Sequence, residues 1–564
     1  MKKNVQLSLP LLPLLLPLLL LLLLSQFTFF ACSSKKDNPA SGTAPAASTA
    51  SSGGGSGGGG SSSSDNDPYF KLQWHLVNTG QEEGTINEDI NVASVWNEGN
   101  RGNGVLVMVV DDGVEIAHPD LVANISTDSK DTHNYVTGSN DPTLPSSKHG
   151  TAVAGLIAAK DQNDIGVRGV APAATLGGNN VLENSTASNI YTALTSNVEN
   201  ISIFNNSWGS DDGYGVFTSA NSMVNRAIIL GLQTGRNNKG SIYLWPAGNG
   251  ADSLSADNSN YDGYSIHFGI ITVCAVGNTG VRSAYSEIGA NVFICAPSSN
   301  AGESTAKMVT TDLSGNEKGY NVIQSYSDLD NKDYTKLFGG TSASTPVLSG
   351  VVALILNANP NLEWRDVRKI LAQSARKNDP TNSDWTTNGA GYHINQNYGF
   401  GVVDATAAVA LAKRWGSSGQ FVSGYNGLSF PSDGKKTVNT AIPDNPLYGS
   451  TGLVSSTITV SGSGINKIDY IYIQVNITHA DWGDLSIKLK RTINGVTVED
   501  RLAEPHQCYT STKTSVCSVK SAWTFGSVRH MDEPADGDWT IEVSDLRSGN
   551  AGTFNNWQLT LFGG

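Results

Sequence analysis

The stretch GVLVMVVDD, residues 104–112, decides the fold. Six apolar residues in succession, four of them valine, suit a strand buried on both faces, as in parallel sheets covered by helices, and the run stops at paired carboxylates. Residues 201–206, 241–245 and 269–276 repeat the pattern. Between them lie stretches of helical period that begin near His149 (HGTAVAGLIAAK), Thr345 (TPVLSGVVALILNA) and Asn361 (NLEWRDVRKILAQSAR). Strands alternating with helices predict an α/β domain with a mostly parallel sheet over residues 65–415. Ligands bind such sheets beyond the carboxyl ends of the strands, where Asp111 and Asn249 fall.

Past a Gly/Ser-containing break the period changes. Residues 468–477 and 485–489 alternate apolar with polar side chains, which predicts an all-β, jelly-roll-like sandwich over residues 422–564. A chain of 564 residues that is 39% hydrophobic has room for both cores. No repeat with a period of roughly 20–50 residues recurs, so a solenoid or propeller is not expected. A net charge of −14 with few Lys/Arg runs disfavours nucleic acid and anionic membrane surfaces as partners and suits a cationic peptide.

At the N-terminus, Lys2 and Lys3 precede a Leu/Pro-rich apolar run that closes on Phe29-Phe30-Ala31-Cys32, an export signal. Its ending is similar to a bacterial lipoprotein signal, in which the cysteine is lipidated and becomes the mature N-terminus. Ordinary cleavage nearby and an uncleaved anchor are the alternatives, the latter opposed by Pro10, Pro13 and Pro17. On this reading residues 1–32 are the signal and Cys32 the lipidation site, the sole tie to a membrane. Residues 33–64, almost all Ser, Gly, Ala and Thr, have the composition of a disordered tether spanning about 30 Å. The protein is then exported and lipid-anchored in the cell envelope or outer membrane, facing the periplasm or the exterior. Setting Cys32 aside leaves four cysteines, an even number suited to an oxidising compartment. Cys508 and Cys517 close a short loop and form the preferred disulfide; Cys274 and Cys295 are either a second bridge or buried thiols.

Three segments carry the chemistry: VVDDGVEIAHPDL at 109–121, KHGTAVAG at 148–155 and GGTSASTPVLSG at 339–350. Singly, each has a structural explanation as a strand end, a helix start or a helix entry. In the order Asp, His, Ser, with these flanking glycines and Pro346, they resemble the active-site motifs of the subtilase family. The resemblance makes Ser342 the nucleophile, His149 its general base, and Asp111 the group that fixes the imidazole tautomer and stabilises the imidazolium. Asn249, in LWPAGNG, matches the family's side-chain donor to the oxyanion, beside a backbone N–H at the helix entry of Ser342.

Further residues narrow the resemblance to kexin and furin, the proprotein convertases. They are the opening DPYFKLQWHL at 67–76, the doubled acid Asp111-Asp112, and a C-terminal segment similar to the P domain, with GDWT at 537–540. The resemblance implies an endopeptidase that cuts after Arg or Lys. The substrate edge would be Ser207, Trp208 and Gly209, with Asp211 and Asp262 as pocket acids and Asp112 facing the preceding residue. One residue is missing from this edge relative to the family, so either Asp211 or Asp212 takes the first pocket position. Ser146 and Ser147 replace an acid and an asparagine of furin, and Phe217 stands near where furin has another acid, so strict multibasic selection is not expected. Calcium is the implied cofactor: Asp67, Asp120 and Asn163 with carbonyls near Lys160, Ile165 and Val167 at one site, and Asp211, Asp257 and Glu287 at a second. Family members also carry a folding propeptide, whereas residues 33–64 cannot form a packed domain; this predicts unassisted folding or help from a separate chaperone. Competing functions are a broad-specificity subtilisin-like protease and a surface binding protein with vestigial activity. Transpeptidation would need a lid insertion not seen in the sequence.

Overall fold

A computed structural model describes residues 66–300, 306–315, 318–322, 328–416, 426–444, 452–509, 514–519 and 522–564. The export signal, Cys32, the tether and the expected start of the second domain at Val422 lie outside the described residues. The first domain is built on seven parallel strands: β1 (Leu106–Val110), β2 (Thr132–His133), β3 (Thr175–Asn179), β4 (Ile203–Asn205), β5 (Ile242–Pro246), β6 (Ile270–Val276) and β7 (Ile294–Pro297). Their spatial order is β2-β3-β1-β4-β5-β6-β7. β1 lies inside the sheet between β3 and β4, its valines are fully buried, and Asp111 emerges directly from its carboxyl end.

Two helices, Lys148–Ala158 and Thr341–Ala358, pack against each other and against the sheet, buried along nearly their whole lengths because they are made of small and apolar residues. The second starts at Thr341 rather than near Thr345. Gly340, at φ +75°, turns the chain straight into the helix, and Pro346 is carried inside it. That proline withholds the N–H that would bond the Ser342 carbonyl.

The second domain is an antiparallel sandwich. One sheet orders Asn426–Phe430, Gly552–Gly563, Ile468–Thr478 and Trp523–Ser527, with Lys436–Ile442 also on the Gly552–Gly563 strand. The other orders Leu453–Val460, Gly537–Asp545, Leu485–Ile493 and Val496–Ala503. Alternate side chains, among them Trp539, Trp557 and Phe554, fill the space between.

The domains share a continuous apolar interface: Tyr261, Ile266 and Ala290 of the first belong to the core of the second. Several polar groups trapped there are paired, which offsets the cost of burying them. Trp523 Nε1 donates to the Asn260 carbonyl (2.9 Å) and Tyr470 Oη to the Ile266 carbonyl (2.9 Å). Asp469 receives both Arg365 (2.5 Å) and Lys369 (3.3 Å). Both disulfides are formed. Cys274 and Cys295 are directly opposite each other on β6 and β7, which leaves neither as a free thiol, and Cys508–Cys517 closes its short loop.

Candidate active site

Asp111 Oδ1 accepts a hydrogen bond from His149 Nδ1 at 2.8 Å, with both groups buried. Burial opposes charge on the His149 ring, but the adjacent Asp111 carboxylate outweighs it and holds the ring pKa above its ordinary value. His149 Nε2 has no hydrogen-bond partner, while Ser342 Oγ donates to the Ser207 carbonyl (3.2 Å). Ser–His contacts often tighten only with substrate present.

Gly150 lets the histidine helix sit close: a Cβ there would lie 2.1 Å from the Gly113 carbonyl. The N-terminus of that helix is occupied by Asp112, whose carboxylate accepts from the N–H groups of His149 (3.1 Å) and Gly150 (2.8 Å). Burial, with the Asp111 charge beside it, raises Asp112 to about 8. Asp112 is therefore a buried helix-anchoring acid rather than a side chain displayed to substrate.

Asn249 is oriented from both ends. Its Oδ1 accepts from Thr341 N (2.8 Å) and Thr341 Oγ1 (2.9 Å), which turns Nδ2 toward Asp212 Oδ2 at 3.2 Å. Asp212 Oδ1 also accepts from Asn249 N (2.9 Å). Thr341 is a support the sequence reading missed, although it directly precedes the nucleophile.

Beside Asn249 an acidic cavity is lined by Asp211, Asp212, Asp257, Asp262 and Glu287, with Tyr261 and Gly248 among its walls. Asp262 accepts from Ser210 N (3.0 Å), Ser210 Oγ (3.0 Å) and Tyr264 N (2.8 Å), and burial raises it to about 6. Burial, with Asp257 as the nearest reinforcing charge, holds Glu287 well above the usual carboxylate range. Asp212 faces this cluster; Asp211 is exposed at its rim. Both acids of the shortened edge therefore line the cavity, Asp212 the more buried of the two. Ser207 supplies its carbonyl to Ser342, and Gly209 lies so close to Asp262 that a Cβ would be 2.7 Å from its Oδ2. Trp208 does not line the cavity: it is buried against Trp245 and donates to the Val110 carbonyl (2.9 Å), tying the edge to β1.

The first expected calcium set comes together. Asp120 accepts from Asn163 Nδ2 (2.8 Å) and Val167 N (3.0 Å), and Asp67 from Asn163 N (3.1 Å). Burial, with Asp67 as a like charge, raises Asp120 to about 7, the condition a divalent cation relieves. Two carboxylates and an amide side chain are hard oxygen donors and fit calcium, although Arg168 also pairs with Asp67 (2.7 Å). The members of the second set, Asp211, Asp257 and Glu287, line the acidic cavity together, Asp211 at its exposed rim and Asp257 accepting from Gly213 N and Gly215 N. Among the described residues the one close group of three His, Cys or acidic ligands is His506, Cys508 and Cys517, whose sulfurs are joined in a disulfide.

Phe217 corrects another expectation. Its ring packs against Tyr261, Trp482, Trp523 and Phe525 at the domain interface instead of facing substrate.

A central parallel sheet with Asp, His and Ser at its carboxyl edge, followed by an antiparallel sandwich, defines a subtilisin-like protein with a C-terminal β domain. The chain belongs to the Subtilase family, whose profile matches residues 102–401, and the Proprotein convertase P-domain profile matches residues 468–561. It is 32% identical to PC3-like endoprotease variant B of Hydra vulgaris, over 85% of this chain and 63% of that relative's length. It is 31% identical to the dibasic-processing endoprotease of Schizosaccharomyces pombe, over 88% of this chain and 65% of that one. The serine protease of Aeromonas sobria, solved in complex with a chaperone, superimposes with a TM-score of 0.77 at 28% identity, covering 88% of this chain and 95% of that one.

Proposed function

We propose that this protein is a secreted serine endopeptidase that hydrolyses peptide bonds after Arg or Lys. The observation that carries the reading is the acidic cavity of Asp212, Asp257, Asp262 and Glu287 beside Asn249, in a chain that also brings Asp111 and His149 together. Carboxylates facing a guanidinium form charge-assisted bonds that an apolar side chain cannot replace.

Ser342 Oγ turns from the Ser207 carbonyl to His149 Nε2, gives up its proton as it attacks the scissile carbonyl, and forms a tetrahedral intermediate. Asp111 keeps Nδ1 protonated and stabilises the resulting imidazolium. The developing oxyanion is taken by the Ser342 backbone N–H and by Asn249 Nδ2, a donor of the kind worth about 10²–10³ in turnover. A cationic substrate side chain that engages Asp212 competes with Asn249 Nδ2 for the same carboxylate, and so frees the amide for the oxyanion. His149 then protonates the leaving amine, and water repeats the sequence to release the acyl group.

Calcium at Asp67, Asp120 and Asn163 would neutralise buried charge and stiffen the loops they join. Lipid anchoring through Cys32 and assistance from a separate chaperone belong to the same reading; the chaperone bound to the Aeromonas sobria protease supports the latter. Mass-spectrometric mapping of bonds cut in a protein mixture tests the proposal. Cuts after Arg and Lys that vanish in Ser342→Ala are expected; cuts spread over apolar residues would favour a broad-specificity subtilase.

A further inference from the structure

The second domain reaches the wall of the acidic cavity. His506 Nε2 lies 2.9 Å from the Gly215 carbonyl, and its Nδ1 lies 3.3 Å from the Tyr261 hydroxyl and 2.8 Å from the Glu504 carbonyl. In the tautomer with hydrogen on Nε2, the ring donates to Gly215 and accepts from Tyr261. Nearby, Tyr509 N donates to the Tyr214 carbonyl (2.8 Å). Gly215 has φ +68°, and a Cβ on it would lie 2.5 Å from the Gln507 carbonyl and 3.0 Å from the His506 ring. The second domain therefore packs directly on this backbone, and only glycine fits. Two residues on, Phe217 is held among aromatic rings that include His506, with centroids 5.9 Å apart.

What this segment does for the cavity follows from its other bonds. Gly213 N and Gly215 N are the donors to Asp257, and Asp257 shares the cavity with Asp212, Asp262 and Glu287. Tyr261, stacked on His506 at 4.5 Å, directly precedes Asp262. Removal of the ring would leave the buried Gly215 carbonyl without that donor, at a cost the segment would relieve by turning that peptide. The Gly215 N–H would then leave Asp257.

We propose that His506 is a positioning residue for basic-residue selection, by which the C-terminal domain fixes the acids of the substrate pocket. The proposal rests on the pocket assignment made under the proposed function.

The test uses the full chain with His506→Ala and His506→Gln, read as kcat and KM on matched peptides ending in Ala-Arg or Ala-Phe before the cut bond. His506→Ala is expected to lower the Arg-to-Phe ratio of kcat/KM about tenfold, chiefly by raising KM on the Arg peptide. Glutamine can still donate an amide to Gly215, so His506→Gln should restore most of the ratio. An unchanged ratio in folded His506→Ala, or parallel losses on both peptides with a lower thermal midpoint, overturns the proposal. If His506→Ala does not fold, Phe217→Leu loosens the same segment while keeping it filled, and an unchanged ratio there is equally decisive. Wild-type protein without Arg preference defeats the pocket assignment and this proposal together; preference that persists in every variant defeats only the role of His506.

Discussion

Asp262→Asn is the sharpest test of the pocket. Asparagine keeps the volume, and its Oδ1 can still accept from Ser210 Oγ and Tyr264 N, now 3.0 and 2.8 Å from Asp262 Oδ1. Its amide nitrogen would face the Ser210 N–H that Asp262 Oδ2 now accepts at 3.0 Å, a local loss of about 1–2 kcal/mol. The larger effect is on substrate. Removing one partner of a buried charge pair costs about 3–5 kcal/mol, and the lower figure applies here because Asp212 remains in the cavity. About 3 kcal/mol is about a 10²-fold loss in kcat/KM on an Ala-Arg peptide, with a much smaller change on Ala-Phe. The same group gives a pH signature. Asp262 is ionised only above about 6, so in wild-type protein the Arg-to-Phe ratio should climb as pH rises through 6 and fall below it. In Asp262→Asn that climb should disappear. Matched peptides assayed from pH 5 to 8 supply both readouts, and equal losses on both peptides, or a ratio flat with pH in the wild type, would refute the role given to Asp262.

Ser342→Ala and His149→Ala should abolish peptide hydrolysis, and Asp111→Asn should lower kcat by about 10⁴ without unfolding the protein, as steady-state kinetics and circular dichroism would record. Chelation should lower the thermal midpoint, and Asp120→Ala should mimic it; an unchanged melt in excess chelator would argue against an exchangeable ion. Because the fold raises Asp120 to about 7, its ionisation costs stability. Without calcium the midpoint should therefore decline as pH rises from about 4 to 7, and with calcium the decline should flatten. Since Asp112 is spent on the helix N-terminus, a Lys-Arg peptide should exceed Ala-Arg by less than about tenfold, on the order of 1 kcal/mol, whereas a larger gain would show that Asp112 reaches substrate.

The candidate catalytic residues stand out in the sequence because each lies in a short, local pattern. A doubly buried strand ends in Asp111, small residues surround His149 and Ser342, and Asn249 follows another strand. What escaped depends on contacts between distant segments. One missing residue in the 207–213 edge leaves Asp211 and Asp212 as alternatives in the sequence, whereas in the fold both line the cavity and Asp212 alone is bonded to Asn249. Phe217 reads as a substrate-side loop residue until the sandwich supplies Trp482 and Trp523 around it. His506 lies 291 residues from the glycine it holds, a separation across which no spacing rule operates. The helix entry at Thr341 was hidden by Pro346, a residue that usually marks a helix start rather than its interior.

On the proposed specificity the protein has its own sequence as a substrate too. Arg368 and Lys369 form a dibasic step in the helix Trp364–Ser374, and both side chains are buried, Lys369 against Asp469 of the second domain. While the domains stay joined, that bond is beyond the reach of any neighbouring molecule. Separation of the domains would release only Lys369, because Arg368 stays bonded to the Ile270 carbonyl and packed over the Phe293 ring of its own domain, so a cut there also requires the helix to open. The dibasic step Lys413-Arg414, exposed at the end of the helix Ala405–Arg414, is open without any such change, so on the proposed specificity self-cleavage should begin between the two domains while both are still folded.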